Sequence, residues 1–187
     1  MKEDPFVKTA LAAAREVLGP PLHIERGKAL LYEIKVNGRL QIEVDPKSPV
    51  RGDSAFQTDL CVLEEVEKDV HVPRVVLEFK KTLTTHDILV YSTKARKHKQ
   101  IYPYLRYGLV IGDEKKVPGK YFTHNEGLDF CVAVGLLKEH RLHEVIAKLL
   151  KVEVQASRQL ERFTSGAATT YLFRNDVSLD EGSGKVV

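Results

Sequence analysis

Apolar side chains at Phe6, Ala10, Ala13 and Val17 recur at the spacing of one helix face, and Gly19-Pro20-Pro21 ends the run, so a helix is predicted over 6–18. From Leu30 the pattern changes to the two-residue period of strands. Leu30 to Val36 and Arg39 to Val44 are β-rich and flank Asn37-Gly38, a strong short hairpin signal. Pro46, Pro49 and Gly52 break the next stretch into an irregular connection, which leads into a strand over 58–63 and then an acidic loop. A second strand is expected from Arg74 to Lys80. Thr84-Thr85-His86-Asp87 then supplies an N-cap and an acidic first turn for a helix running from His86 toward Arg106, with Pro103 disturbing its last turn. Leu109 to Ile111 reads as a short buried strand, Asp113 to Lys120 as an exposed turn and Phe130 to Val134 as a strand. A long helix is expected over 139–163, carried by Leu142, Val145, Ile146, Leu149 and Leu160. Helices alternating with strands define an α/β chain.

With 187 residues and 43% hydrophobic content, the chain can bury one substantial core. One domain over 1–166 is expected, followed by a mobile tail over 167–187. The first residues are acidic where a signal peptide is basic, and the longest apolar run, Phe130 to Leu137, is too short to cross a bilayer. A cytoplasmic protein without a membrane partner is therefore expected. Cys61 and Cys131 lie in apolar runs without metal-ligand spacing and read as reduced core residues. The net charge is only +3, yet Tyr91 to Lys120 carries eight cations against Asp113 and Glu114. Such an excess attracts polyanions, although a solvated helix face has the same composition.

The pattern becomes chemical in strand 74–80. Alternation sends Val75, Leu77 and Phe79 to one face and Val76, Glu78 and Lys80 to the other. Asp59 opens a strand that is apolar on both faces, a costly position for a carboxylate unless Lys80 or a divalent cation meets it. Two carboxylates and a lysine converging from adjacent strands suffice for phosphodiester hydrolysis. The carboxylates hold Mg²⁺, which neutralises phosphate charge and acidifies bound water, and the lysine orients that water or stabilises the transition state. The alternative for Glu78 and Lys80 is an ordinary ion pair between next-but-one residues on an open sheet face.

Asp59 in Gln57-Thr58-Asp59-Leu60, together with Glu78-Phe79-Lys80, resembles the PD-(D/E)XK nuclease superfamily. The likeness spans residues 6–111, where helix, three strands, helix and strand can be laid over the family core. Thr58 stands where the family usually has proline. The resemblance implies a restriction-endonuclease-like mixed central sheet flanked by helices, here with an additional C-terminal helix. It also implies a Mg²⁺-dependent DNA endonuclease, with Mn²⁺ as a substitute metal. Asp59, Glu78 and the Phe79 carbonyl would hold the metal, and Lys80 would sit by the scissile phosphate. The three-residue pattern alone is cheap, since Glu33-Ile34-Lys35 and Asp113-Glu114-Lys115 also fit it. Only Glu78 has an aspartate in the preceding strand and a basic helix next in sequence.

Further candidates surround this centre. Gln100-x-x-x-Tyr104 is similar to an element of RecB-like members, provided that the helix continues past Pro103. Lys94 and Lys97 are candidate DNA-backbone contacts. Glu16 on the first helix and Glu33 are possible extra acidic ligands, against the plainer reading of exposed carboxylates. His124 to Asp129 reads as a turn and His86-Asp87 as capping. A non-catalytic nucleic-acid-binding protein on the same fold and an RNA-processing nuclease are the alternative functions. A homodimer is expected, with helix 139–163 as the contact, because that helix offers more apolar residues than one packed face requires.

Overall fold

The computed structural model describes residues 3–174 and residue 178, with side chains from Val7 onward. In chain order the elements are α1 (Glu3–Val17), β1 (Leu22–Arg26), β2 (Ala29–Leu31), β3 (Ala55–Gln57), β4 (Leu60–Glu67), β5 (Val70–Lys80), α2 (Thr85–Ile101), β6 (Arg106–Ile111), α3 (Gly119–His124), β7 (Phe130–Ala133) and α4 (Glu139–Thr164). Five strands form a mixed sheet in the order β1-β4-β5-β6-β7. The β1, β4 and β5 strands pair antiparallel, whereas β5, β6 and β7 are parallel. The expected α/β class holds, with a mixed sheet flanked by helices.

Side-chain alternation divides the interior in two. Val75, Leu77 and Phe79 pack with Leu60, Val62, Ala10, Ala14, Leu142, Ile146 and Leu150 beneath α1 and α4. On the other face, Val76 packs with Cys61, Leu63, Tyr107, Leu109, Ile88, Ala95 and Tyr121 beneath α2 and α3. Both faces of the central strands are thus apolar, and any polar group there needs a partner. Cys61 and Cys131 are unpaired thiols, and burial pushes both pKa values up.

Several sequence expectations are corrected. The segment after Leu63 is not a loop: β4 continues to Glu67 and turns at Asp69, which has φ of +61°, into β5. Glu64 is buried there by Arg74, at 2.6 Å, and Arg158. Pairing in this hairpin slips once between Val62 and Leu63 and again between Glu65 and Glu67, leaving Arg74 and Val66 without opposite residues. The hairpin over 30–44 shrinks to one bridge, Val36 with Ile42. Asn37 still organises the turn, accepting from the Arg39 and Gln41 amides through Oδ1, but the positive φ falls on Leu40. Leu30 and Leu31 instead join the small β2-β3 sheet, so Ile34, Val36, Leu40 and Ile42 remain exposed.

The α2 helix begins as expected, with Thr84 and Asp87 forming a reciprocal capping box. It stops at Ile101, because the ring of Pro103 disfavours helical backbone in the preceding residue. The apolar residues of α4 are spent internally: Leu142, Ile146, Leu150 and Val154 are buried, while Val152 is 56% exposed. The basis for self-association through this helix therefore falls away. Residues 167–174 lack regular structure, and the remainder of the expected tail, apart from residue 178, lies outside the described residues. No described helix is long and apolar enough to cross a membrane.

Candidate active site

The antiparallel register that places Leu60 opposite Leu77 carries Asp59, one residue before β4, level with Glu78. Asp59 Oδ2 accepts the Phe79 amide at 2.8 Å, which pins the carboxylate against β5. Glu78 points to the α2 face, as alternation requires, and is only 1% exposed. Its Oε1 accepts from Lys94 Nζ at 2.5 Å and from the Tyr107 hydroxyl at 2.5 Å. Tyr107 is on the same face because the parallel register sets it beside Val76. Lys94 also donates to the Gln57 carbonyl at 2.6 Å, tying α2 to the segment that delivers Asp59.

Burial is the main influence on Glu78. It pushes the carboxyl pKa up to about 7, against the lowering effect of the Lys94 ammonium; the nearby negative charge of Asp59 adds to the rise, and hydrogen bonds from Lys94 and Tyr107 oppose it. Lys80 does not pair with Glu78. Its ammonium lies 3.7 Å from Asp87 Oδ1 and 5.4 Å from the centre of the Tyr91 ring, while Lys94 lies 5.8 Å from that same centre. Two cations therefore share one aromatic ring, and one of them, Lys94, is bound to Glu78. Asp59 Oδ1 and Glu78 Oε2 receive no hydrogen bond among the described residues.

The other candidates separate from this centre. Lys94 is an internal partner of Glu78 rather than an outward backbone contact. Lys97 is half-buried, with its ammonium 5.1 Å from the centre of the Tyr32 ring. Gln100 is exposed, six residues after Lys94 and thus about 120° round the helix. Tyr104 lies beyond the end of α2, so the expected shared helix face does not exist. Instead, its ring carries the Arg74 guanidinium at 5.5 Å. Glu16 is exposed and meets His143 at 2.7 Å, joining α1 to α4. Glu33 accepts from Ser54 at 3.2 Å in the loop after β2. The polar residues over 124–129 are structural: Ser92 Oγ accepts the Glu126 and Gly127 amides, and Asp129 holds Lys99, Arg106 and the Tyr107 amide.

Sequence reasoning missed Lys94 and Tyr107 as partners of Glu78. Carrying the alternation of Leu109 and Ile111 back to Tyr107 was the available signal for one. The other was harder to see, because Lys94 lies at the margin of the buried stripe of α2 formed by Ile88, Ser92, Ala95 and His98. Comparison with protein-family models and with curated protein sequences gives no match.

Proposed function

We propose that this chain is a metal-dependent phosphodiesterase acting on nucleic acid, an endonuclease centred on Asp59, Glu78 and Lys80 with Lys94 as an added participant. The observation that carries this reading is the register that sets the carboxylates of Asp59 and Glu78 level on neighbouring segments, with Lys94 on Glu78 and Lys80 sharing the Tyr91 ring with Lys94. The order helix, three antiparallel strands, helix, parallel strand supports taking α1, β1, β4, β5, α2 and β6 as a restriction-endonuclease-like core.

The donor set fits Mg²⁺. Asp59 and Glu78 are hard oxygen donors, each with one oxygen outside a hydrogen bond, and no cluster of three or more acidic, histidine or cysteine ligands exists among the described residues. Mg²⁺ suits a site of one or two carboxylates completed by water and phosphate oxygens. When bound, the cation supplies neutralisation of phosphate charge and a more acidic water. The Phe79 amide and the Tyr107–Lys94 pair hold the two carboxylates in place through one oxygen each. Lys80, half-exposed beside Tyr91, supplies a positive charge for phosphate oxygens.

A non-catalytic reading has its own observation: Lys94 and Tyr107 already satisfy Glu78, as they would a purely structural buried ion pair. Circular DNA incubated with Mg²⁺ or EDTA separates the two. Nicked or linear product in Mg²⁺ only, lost in Asp59→Ala, Glu78→Ala and Lys80→Ala variants that remain folded, supports the nuclease. Cleavage that persists in Glu78→Ala removes it. Linear DNA and RNA substrates in the same assay separate endonucleolytic from exonucleolytic action and DNA from RNA.

A further inference from the structure

Beside the carboxylate centre, α2 and β3 enclose a shallow groove of about 510 Å³. Its apolar lining is Phe56, Leu89 and Val90, which are 37%, 46% and 46% exposed. His86, Lys94 and Lys97 supply its basic side chains, and no carboxylate among the described residues lines it. Lys94 belongs to both places, so the groove opens on the group that holds Glu78.

Phe56 is held as a platform. Its ring stacks on Tyr32 with centres 3.9 Å apart and planes 14° from parallel, and His98 meets it edge-on at 5.9 Å. Lys97 lies over the opposite member of the stack, 5.1 Å from the Tyr32 centre. An aromatic platform with aliphatic neighbours and only basic charged groups is complementary to a ligand that is both flat and apolar and polyanionic. Double-stranded DNA presents phosphates and base edges, which leave Phe56, Leu89 and Val90 uncovered. An unpaired nucleotide strand offers base faces for the platform and phosphates for Lys97.

We infer that the groove binds single-stranded nucleic acid and delivers an unpaired strand to the Asp59–Glu78 centre. The inference deepens the nuclease reading by naming its substrate class. It also removes the functional need for a second copy, because one centre suffices for one strand.

The test is fluorescence anisotropy on the full chain in EDTA, with labelled oligothymidylate, oligouridylate and a mixed-sequence duplex of equal length. Either single strand should bind at least about tenfold more tightly than the duplex. Phe56→Ala should weaken single-strand binding by about tenfold, as expected for the loss of one stacked base, and leave duplex binding unchanged. Val90→Asp, at an exposed helix position, should weaken it as well and guards against misfolding of the first variant. Duplex affinity equal to or above that of both single strands overturns the inference, as does unchanged binding in both variants. A change in sedimentation instead of DNA affinity overturns it in favour of a second copy in the groove. Cleavage of circular single-stranded and circular duplex DNA in Mg²⁺ by the same preparation is scored separately. Single-strand preference without cleavage supports the groove and removes the nuclease, whereas duplex cleavage without that preference removes only the groove.

Discussion

Replacing Glu78 by glutamine in metal-free buffer should stabilise the fold progressively as pH rises. The side chain keeps its shape and an oxygen for the Tyr107 hydroxyl, but it no longer ionises. In the native fold the carboxyl is pushed from 4.5 up to about 7, chiefly by burial. The folded state therefore binds more protons than the unfolded chain between those values, and wild-type stability falls with rising pH across that window. At about 1.4 kcal/mol for each tenfold change, the full penalty is about 3 kcal/mol above pH 7. Between pH 5 and pH 8, the advantage of Glu78→Gln over wild type should grow by about 2 kcal/mol, or about 4–8 °C in melting temperature for a chain of this size. Urea unfolding in EDTA at half-unit pH steps measures the difference directly. An advantage that stays flat or shrinks toward pH 8 refutes the electrostatic argument and makes Glu78 an ordinary stabilising partner of Lys94. Repeating the series with Mg²⁺ should reverse the order at pH 8, because only wild type retains both carboxylates.

Three further outcomes follow from other contacts. His98 is fully buried, with Nδ1 against the Leu31 carbonyl, and burial pushes its pKa down to about 4 from 6.5, so its contribution is lost as pH falls through that window. The loss should reach about 2 kcal/mol at pH 5 and be absent in His98→Gln, as read from unfolding midpoints relative to pH 7.5. Glu64→Ala should cost about 3 kcal/mol in urea unfolding, because it strips one carboxylate from the buried Arg74 and, among the described residues, the only one that meets Arg158. A loss below 1 kcal/mol would show that Glu161 suffices for Arg74. Lys97→Ala should reduce the salt slope of oligonucleotide binding by about one, and an unchanged slope removes Lys97 as a phosphate contact.

Much of the centre was legible because strand alternation is strict. The faces of Val75 to Lys80 follow from period two, whereas it is the structure that shows the Glu78 face covered by α2. What alternation does not contain is partner choice across the sheet and the following helix. It suggested Lys80 for Glu78, but Lys80 is drawn to Asp87 by the capping turn, while Lys94 reaches in from α2. The β1 strand was missed because Leu22-His-Ile-Glu-Arg buries only Ile24 and carries almost no apolar signal at the sheet edge. The over-read hairpin shows the converse. Asn37 makes its turn locally, but Ile34, Val36, Leu40 and Ile42 find no sheet to cover them, so β-rich composition did not become a strand.

The paired slips in the β4-β5 hairpin bear on which changes of length the protein can survive. One unmatched residue lies on each strand, Val66 on the first and Arg74 on the second, so their offsets cancel between the turn and the centre. Deleting either alone would set Asp59 against a different residue of β5 or force the turn at Asp69 to be rebuilt. Insertions and deletions in this hairpin are thus tolerated in compensating pairs, and the alignment of the two carboxylates is inherited as a parity.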